Sequence, residues 1–321
     1  MQLAPEIRAL IEQPGLLRAQ QERHAEALAG WRAGAEGRAL LAGFAAFAAG
    51  APLSSQPGLA ALFDGSARAG DAVGGLVAAL LPALAAAPFG QVPLRHHVGP
   101  AATTLMLARE REASLTLFAL DAAGLADAGP AASVSFAPAE EWDAVLAGSG
   151  SGRLVELAGA GALRPQALRF APGLALGRDA AREALLVDHA AGTLLFLRLR
   201  RVTAANAPVR EFALADGALL HQSEPSATES RHEIAVALLG AMGRKDAAPT
   251  LAAIAADRDH GDMLRWQALR QCLALDTLAG FRALARLACE ADDCLAAPAG
   301  ALRAQLIERH PVLAGIEPCP A

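Results

Sequence analysis

Five residues in the middle of the chain carry side chains that could do chemistry together: His96, His97, Asp188, His189 and His221. His96 and His97 close the run Pro93-Leu94-Arg95-His96-His97, ahead of an alternating apolar stretch. His189 follows Asp188 at the end of an expected strand, and His221 lies on the last strand expected in this region. Imidazoles and one carboxylate brought together from separate strands can hold iron or zinc and leave coordination positions open for substrate or oxygen. Neighbouring side chains on a regular strand point to opposite faces, so only one of His96 and His97 can face an interior.

Other motifs offer less. Gly148-Ser149-Gly150-Ser151-Gly152 has the letters of a nucleophile elbow and the glycines of a phosphate loop. It lacks a following Lys and the strand-to-helix context of either, and reads as a flexible connection. His232-Glu233 is not followed by the second His of a zinc-protease helix. Schiff-base chemistry would have to use Lys245, the only lysine, in the polar turn Gly243-Arg244-Lys245-Asp246, a poor place to depress an amine. Of Cys272, Cys289, Cys294 and Cys319, only Cys289 and Cys294 are close in sequence, with no second pair or nearby His to complete a zinc site. Cys272 reads as a small core residue. Arg198, Arg200 and Arg201, with Arg210 on the next strand, read as a charged, solvated sheet edge.

The elements that must position these residues fall into three regions, 1–88, 89–225 and 226–321, and the fold class expected is α+β. Apolar residues at three- and four-residue intervals make the first region helical, with stops at Gly50-Ala51-Pro52. The second shows short alternating runs, read as an antiparallel β-sandwich or barrel. Hairpins are expected around Arg109-Glu110-Arg111-Glu112, Ala190-Ala191-Gly192 and Asp216-Gly217, and a short helix opening at Glu140-Glu141-Trp142-Asp143. The third is a run of five helices with short connections, in which Asp246, Asp276 and Asp293 stand at N-cap positions. Leu239, Met242, Leu251 and Ile254 recur thirty residues on as Leu269, Cys272, Phe281 and Leu284, the mark of stacked helix pairs. On this block Trp266 and Arg265 are the candidates for partner contact, Trp266 serving otherwise as a packing anchor.

Composition narrows the function classes. With 54% hydrophobic and 19% charged residues and a net charge of −5, the chain is a folded one without a basic footprint for nucleic acid or an anionic membrane. The most apolar stretch, Ala72 to Pro88, is interrupted by Gly74, Gly75 and Pro82 and reads as a buried core helix. Met1-Gln2-Leu3-Ala4-Pro5-Glu6 lacks the basic-then-apolar order of a signal peptide, so a cytoplasmic location is expected.

The C-terminal block resembles short HEAT-type repeats through Leu238-Leu239-Gly240-Ala241-Met242-Gly243, Asp246-Ala247-Ala248-Pro249 and Arg265-Trp266-Gln267-Ala268-Leu269. That resemblance implies a surface for a protein or peptide partner and no reaction. The central histidines resemble, distantly, the inward-facing ligands of cupin-type barrels, although the His-x-His and later Glu of that family are absent here. The function expected first is therefore non-catalytic binding of a protein or peptide, without cofactor. The alternative is a metal-dependent enzyme with iron or zinc held by one of His96 and His97 with Asp188 or His189 and His221. A third reading is ligand sensing in an apolar barrel pocket.

Overall fold

The computed structural model describes residues 14–159, 162–204, 207–223 and 227–316; Met1–Glu6 and Cys319 lie outside them. The fold is α+β, with ten α-helices and twelve strands among the described residues. The chain divides into two compact units: Met1–Arg201 with Phe212–Ala218, and Val202–Glu211 with Leu219–Ala321. The N-terminal helices share one buried cluster with the sheet.

Those helices are α1 (Pro14–Ala33), α2 (Ala35–Ala48), α3 (Pro57–Ala60) and α4 (Arg68–Ala86). Leu28, Phe44, Phe47, Val73 and Leu76 share one buried cluster with Leu115, Leu197 and Leu199 of the sheet. By length and composition α4 could cross a membrane. Its stripe Ala69, Val73, Leu76 and Leu80, at spacings of three and four, is buried in the core, whereas Val77, Leu81 and Leu84 on the rest of the helix are exposed.

The strands of this unit are β1 (His96–Val98), β2 (Ala102–Glu110), β3 (Ala113–Asp121), β4 (Ser133–Phe136), β5 (Ala139–Ala147), β6 (Gly150–Leu157), β7 (Leu163–Phe170), β8 (Ala175–Asp179), β9 (Glu183–Ala190) and β10 (Thr193–Val202), with the short α5 (Ala122–Ala128) after β3. One sheet runs β1-β2-β3-β10-β5-β8 and a second β7-β6-β9; β4 touches β9 but hydrogen-bonds in a separate sheet. The strands 3-10-5-8 of one sheet and 9-6-7 of the other follow the jelly-roll order for seven of its eight strands. The expected β-sandwich or barrel is thus a sandwich of jelly-roll type. Alternate residues divide its faces: Leu185 and Val187 of β9 join the interior cluster with Val145, Phe170 and Phe196, while Ala184 and Leu186 join Val134, Phe136 and Phe212 on the opposite side.

Three local expectations are corrected. Glu140-Glu141-Trp142-Asp143 opens no helix but lies in β5; acidic residues at a helix start and inward-facing acids on a strand look alike over four positions. Ala190-Ala191-Gly192 joins strands of different sheets and is not a hairpin turn. Gly150 and Gly152 belong to β6, where a Cβ on Gly152 would stand 2.0 Å from the Leu186 carbonyl oxygen, so the glycine is demanded by close strand approach. The tip at Arg109–Glu112 is a hairpin as expected, with Arg111 in the left-handed region at φ 50°.

The second unit contains α6 (Ala227–Ala241), α7 (Ala248–Ala256), α8 (Asp262–Leu275), α9 (Thr277–Leu287) and α10 (Ala296–Arg309), preceded by β11 (Val209–Ala213), which runs across the division, and β12 (Leu219–Ser223). Helix α8 packs on α6, α7 and α9, and α9 on α7 and α10. Leu251, Leu264, Leu269, Cys272, Phe281 and Leu284 form its buried core. Asp276 caps α9 by accepting from the Ala279 N–H at 3.0 Å.

Candidate functional site

The inside of the jelly roll is where a strand-borne metal centre would sit, and ion pairs fill it. Glu141, Asp143 and Val145 alternate along β5 with Trp142, Ala144 and Leu146, which face the helices. Arg178 of β8 pairs with Glu141 and Asp143, and all three side chains are buried. Arg198 of β10 donates to Asp143 at 2.7 Å, and Arg200 reaches Glu141 at 3.1 Å. Burial pushes the Asp143 carboxyl up, but Arg198 and Arg178 outweigh it and hold the group below its ordinary range. Arg198 also lies 5.2 Å from the centroid of Phe118, which stacks on its cross-strand partner Phe196 at 5.0 Å. Beyond these charges, the gap among Asp143, Val145, Leu168, Phe170, Leu185 and Phe196 is only about 10 Å³. Guanidinium groups at the centre repel a cation, so this interior does the work of a structural ion-pair network.

The arginine run read as a solvated edge is therefore mostly internal. Arg201, on the other face of β10, pairs with Glu140 and donates to the carbonyl oxygens of Phe47 and Ala51 at 2.6 and 2.8 Å, fastening the end of α2 to the sheet. Strict alternation in Leu195-Phe196-Leu197-Arg198-Leu199-Arg200 was the signal that could have placed Arg198 and Arg200 on one face.

The five residues expected as ligands lie apart from that interior or in the other unit. His96 and His97 are exposed on β1, opposite Leu105 and Thr104 of β2. Register places His96 on the helix-covered face of the sheet and His97 on the face of Phe118. Asp188 is engaged by Arg153, which donates to both carboxylate oxygens at 2.9 and 2.8 Å on the outer surface. His189 is exposed opposite Ser151, and His221 is exposed on β12 in the second unit. Among the described residues, the His, Cys, Asp and Glu side chains whose ligand atoms converge are Glu229, His232 and His260.

The two residues expected to meet a partner separate as well. Arg265 is buried: it donates to Asp293 through both terminal nitrogens and sits 3.3 Å from the Ala255 carbonyl oxygen, tying α8 to the segment ahead of α10. Its hydrogen bonds hold the Asp293 carboxyl below the ordinary range, against burial. Trp266, one position on, turns the other way into a groove of about 740 Å³. Leu273 and Ala274 of α8, Leu302 and Leu306 of α10, and Val312 and Leu313 of the turn that follows supply its apolar walls. Arg270 and His310, both exposed, stand on its rim. A concave apolar surface with a few polar groups at its margin is the usual form of a binding site.

No protein-family model matches the sequence, and no curated protein matches it. Solved structures with local likeness include a conserved protein of unknown function from Pseudomonas aeruginosa PAO1, 19% identical over 35% of this chain and 52% of that one, with a TM-score of 0.25. The chain thus spans about half the length of that protein. Others are ectoine synthase from P. lautus, 11% identical over 33% of this chain and 68% of that one at TM-score 0.23, and vicilin from Corylus avellana, 10% identical over 37% and 34% at TM-score 0.26. The jelly-roll assignment rests on the strand order of this chain itself.

Proposed function

We propose that the chain is a binding protein whose helical unit receives an amphipathic helix of a partner protein in the groove beside Trp266. The observation that carries this reading is the groove itself: apolar on its walls, formed by two helices and a turn, and open beside an aromatic anchor. Helix-in-groove recognition uses apolar side chains at i, i+3 or i+4, and i+7, seated against such a surface. Arg270 on the rim favours acidic residues flanking those anchors. The resemblance to HEAT-type repeats supports the same reading, as does the exposed Val312 at the groove's edge. The jelly roll serves here as a scaffold, its interior spent on ion pairs.

Fluorescence anisotropy tests it with two labelled helical peptides of identical leucine pattern, one flanked by Glu and one by Lys. The acidic peptide should bind, the basic one at least about tenfold more weakly. Leu306→Asp, with unchanged circular dichroism, should abolish binding. Failure of both peptides to bind, or binding indifferent to Leu306→Asp, overturns the reading.

A further inference from the structure

We propose that Glu229, His232 and His260 bind one divalent transition-metal ion of the zinc class, and that the ion ties α6 to the turn ahead of α8. Glu229 and His232 stand three residues apart on α6 and so share a face, while His260 comes from the turn between α7 and α8. Glu229 Oε1 lies 3.0 Å from His260 Nδ1 and 3.8 Å from His232 Nδ1. One ligand atom from each of the three residues lies within 4.8 Å of the other two. Ligand atoms around a tetrahedral zinc ion are about 3.3 Å apart when the bonds are about 2.0–2.1 Å, so the two distances to Oε1 bracket that spacing. The imidazole rings are perpendicular, with centroids 5.8 Å apart, and neither stacks on the other.

The surroundings suit the role. The Gly261 N–H donates to Glu229 Oε2 at 3.0 Å, and Oε1 is the oxygen near both imidazoles. Asp257 Oδ2 lies 3.9 Å from His260 Nε2. When a metal takes Nδ1 of His260, the ring proton resides on Nε2, and Asp257 is the carboxylate beside it; outer carboxylates of this kind fix the tautomer and orientation of a ligating histidine. Two imidazoles with one carboxylate select a borderline transition ion over magnesium or calcium, which take oxygen ligands. His232 is exposed while Glu229 and His260 are half-buried, so the fourth position opens to solvent.

Calorimetric titration of the chelator-treated 321-residue chain with Zn²⁺ tests the assignment, in a Cys289→Ser/Cys294→Ser/Cys319→Ser background whose one remaining thiol, Cys272, is buried. One ion should bind per chain, and Zn²⁺ should raise the Tm. His260→Ala and His232→Ala should each weaken binding by about 100-fold or more and remove the Tm shift. His232 is exposed, so its loss leaves the fold intact and the test readable. A His189→Ala/His221→Ala chain should bind as the parent does. Absence of one-to-one binding, or binding that survives both His232→Ala and His260→Ala, overturns the proposal.

Discussion

Arg178 and Asp143 form an ion pair between neighbouring strands inside the jelly roll, with side chains only 2% and 5% exposed. Neither charge can recover its hydration, so each depends on the other and on Glu141 and Arg198. Removing one member leaves the rest uncompensated in a low-dielectric interior, which costs about 3–5 kcal/mol. Arg178→Leu should therefore lower the unfolding free energy by that amount in denaturant titration. A loss below about 1 kcal/mol would mean that the carboxylates find other partners.

The same network fixes an acid limit. Asp143 has a folded-state pKa depressed below its unfolded value, because Arg198 and Arg178 outweigh burial. Its contribution is complete above the ordinary carboxyl value of about 3.9 and is lost as the pH falls through the lower folded-state value. Asp143→Asn should be less stable than the parent at neutral pH, and the gap should narrow below about pH 4. Urea midpoints measured across that range check this, and a gap that stays constant into acid contradicts it.

Elements with strong local signals were legible in the sequence, and the pairing of faces was not. The helices of the second unit, Asp276 as a cap and the β2–β3 hairpin follow from periodicity and turn chemistry. The jelly roll requires knowing which strands leave one sheet for the other, and connections such as Ala190–Gly192 read locally like hairpins. The candidate ligands show the same thing: strand membership groups His96, His97, Asp188 and His189, whereas pleat and register decide which face each side chain takes. Trp266 was singled out and does line the groove, yet its neighbour Arg265 points into the core, as a helix's rotation of about 100° per residue allows. Glu229 and His232 stand one turn apart on α6, and His260, thirty-one residues from Glu229, meets them only in the folded chain.

Two ion pairs should separate sharply under mutation. Arg265 and Asp293 are 3% and 1% exposed, whereas Arg153 and Asp188 are 31% and 34% exposed. Arg265→Ala should destabilise the second unit by up to about 3–5 kcal/mol, because the buried Asp293 carboxylate is then left with Arg258, at 3.4 Å, and the Leu295 N–H as partners. Asp188→Ala should change stability by less than about 1 kcal/mol, since solvent already screens that pair. Thermal melts of the two variants provide the comparison. A large loss in Asp188→Ala would show that the aspartate has a further role.

Gly280 sets propensity against packing. It is the fourth residue of α9, where Ala would ordinarily gain about 1 kcal/mol over Gly. A Cβ there would stand 2.5 Å from both the amide nitrogen and the Cα of Leu273, and these are backbone atoms that no rotamer change can move. Relief requires α8 and α9 to part, and overpacking of this kind costs about 1–3 kcal/mol. The packing cost should prevail, so Gly280→Ala should lower the Tm of the second unit despite its better helix propensity. Gly300→Ala in α10, where a Cβ meets nothing within 4 Å, should raise it. If both substitutions stabilise, the close approach of α8 and α9 is not what demands a glycine.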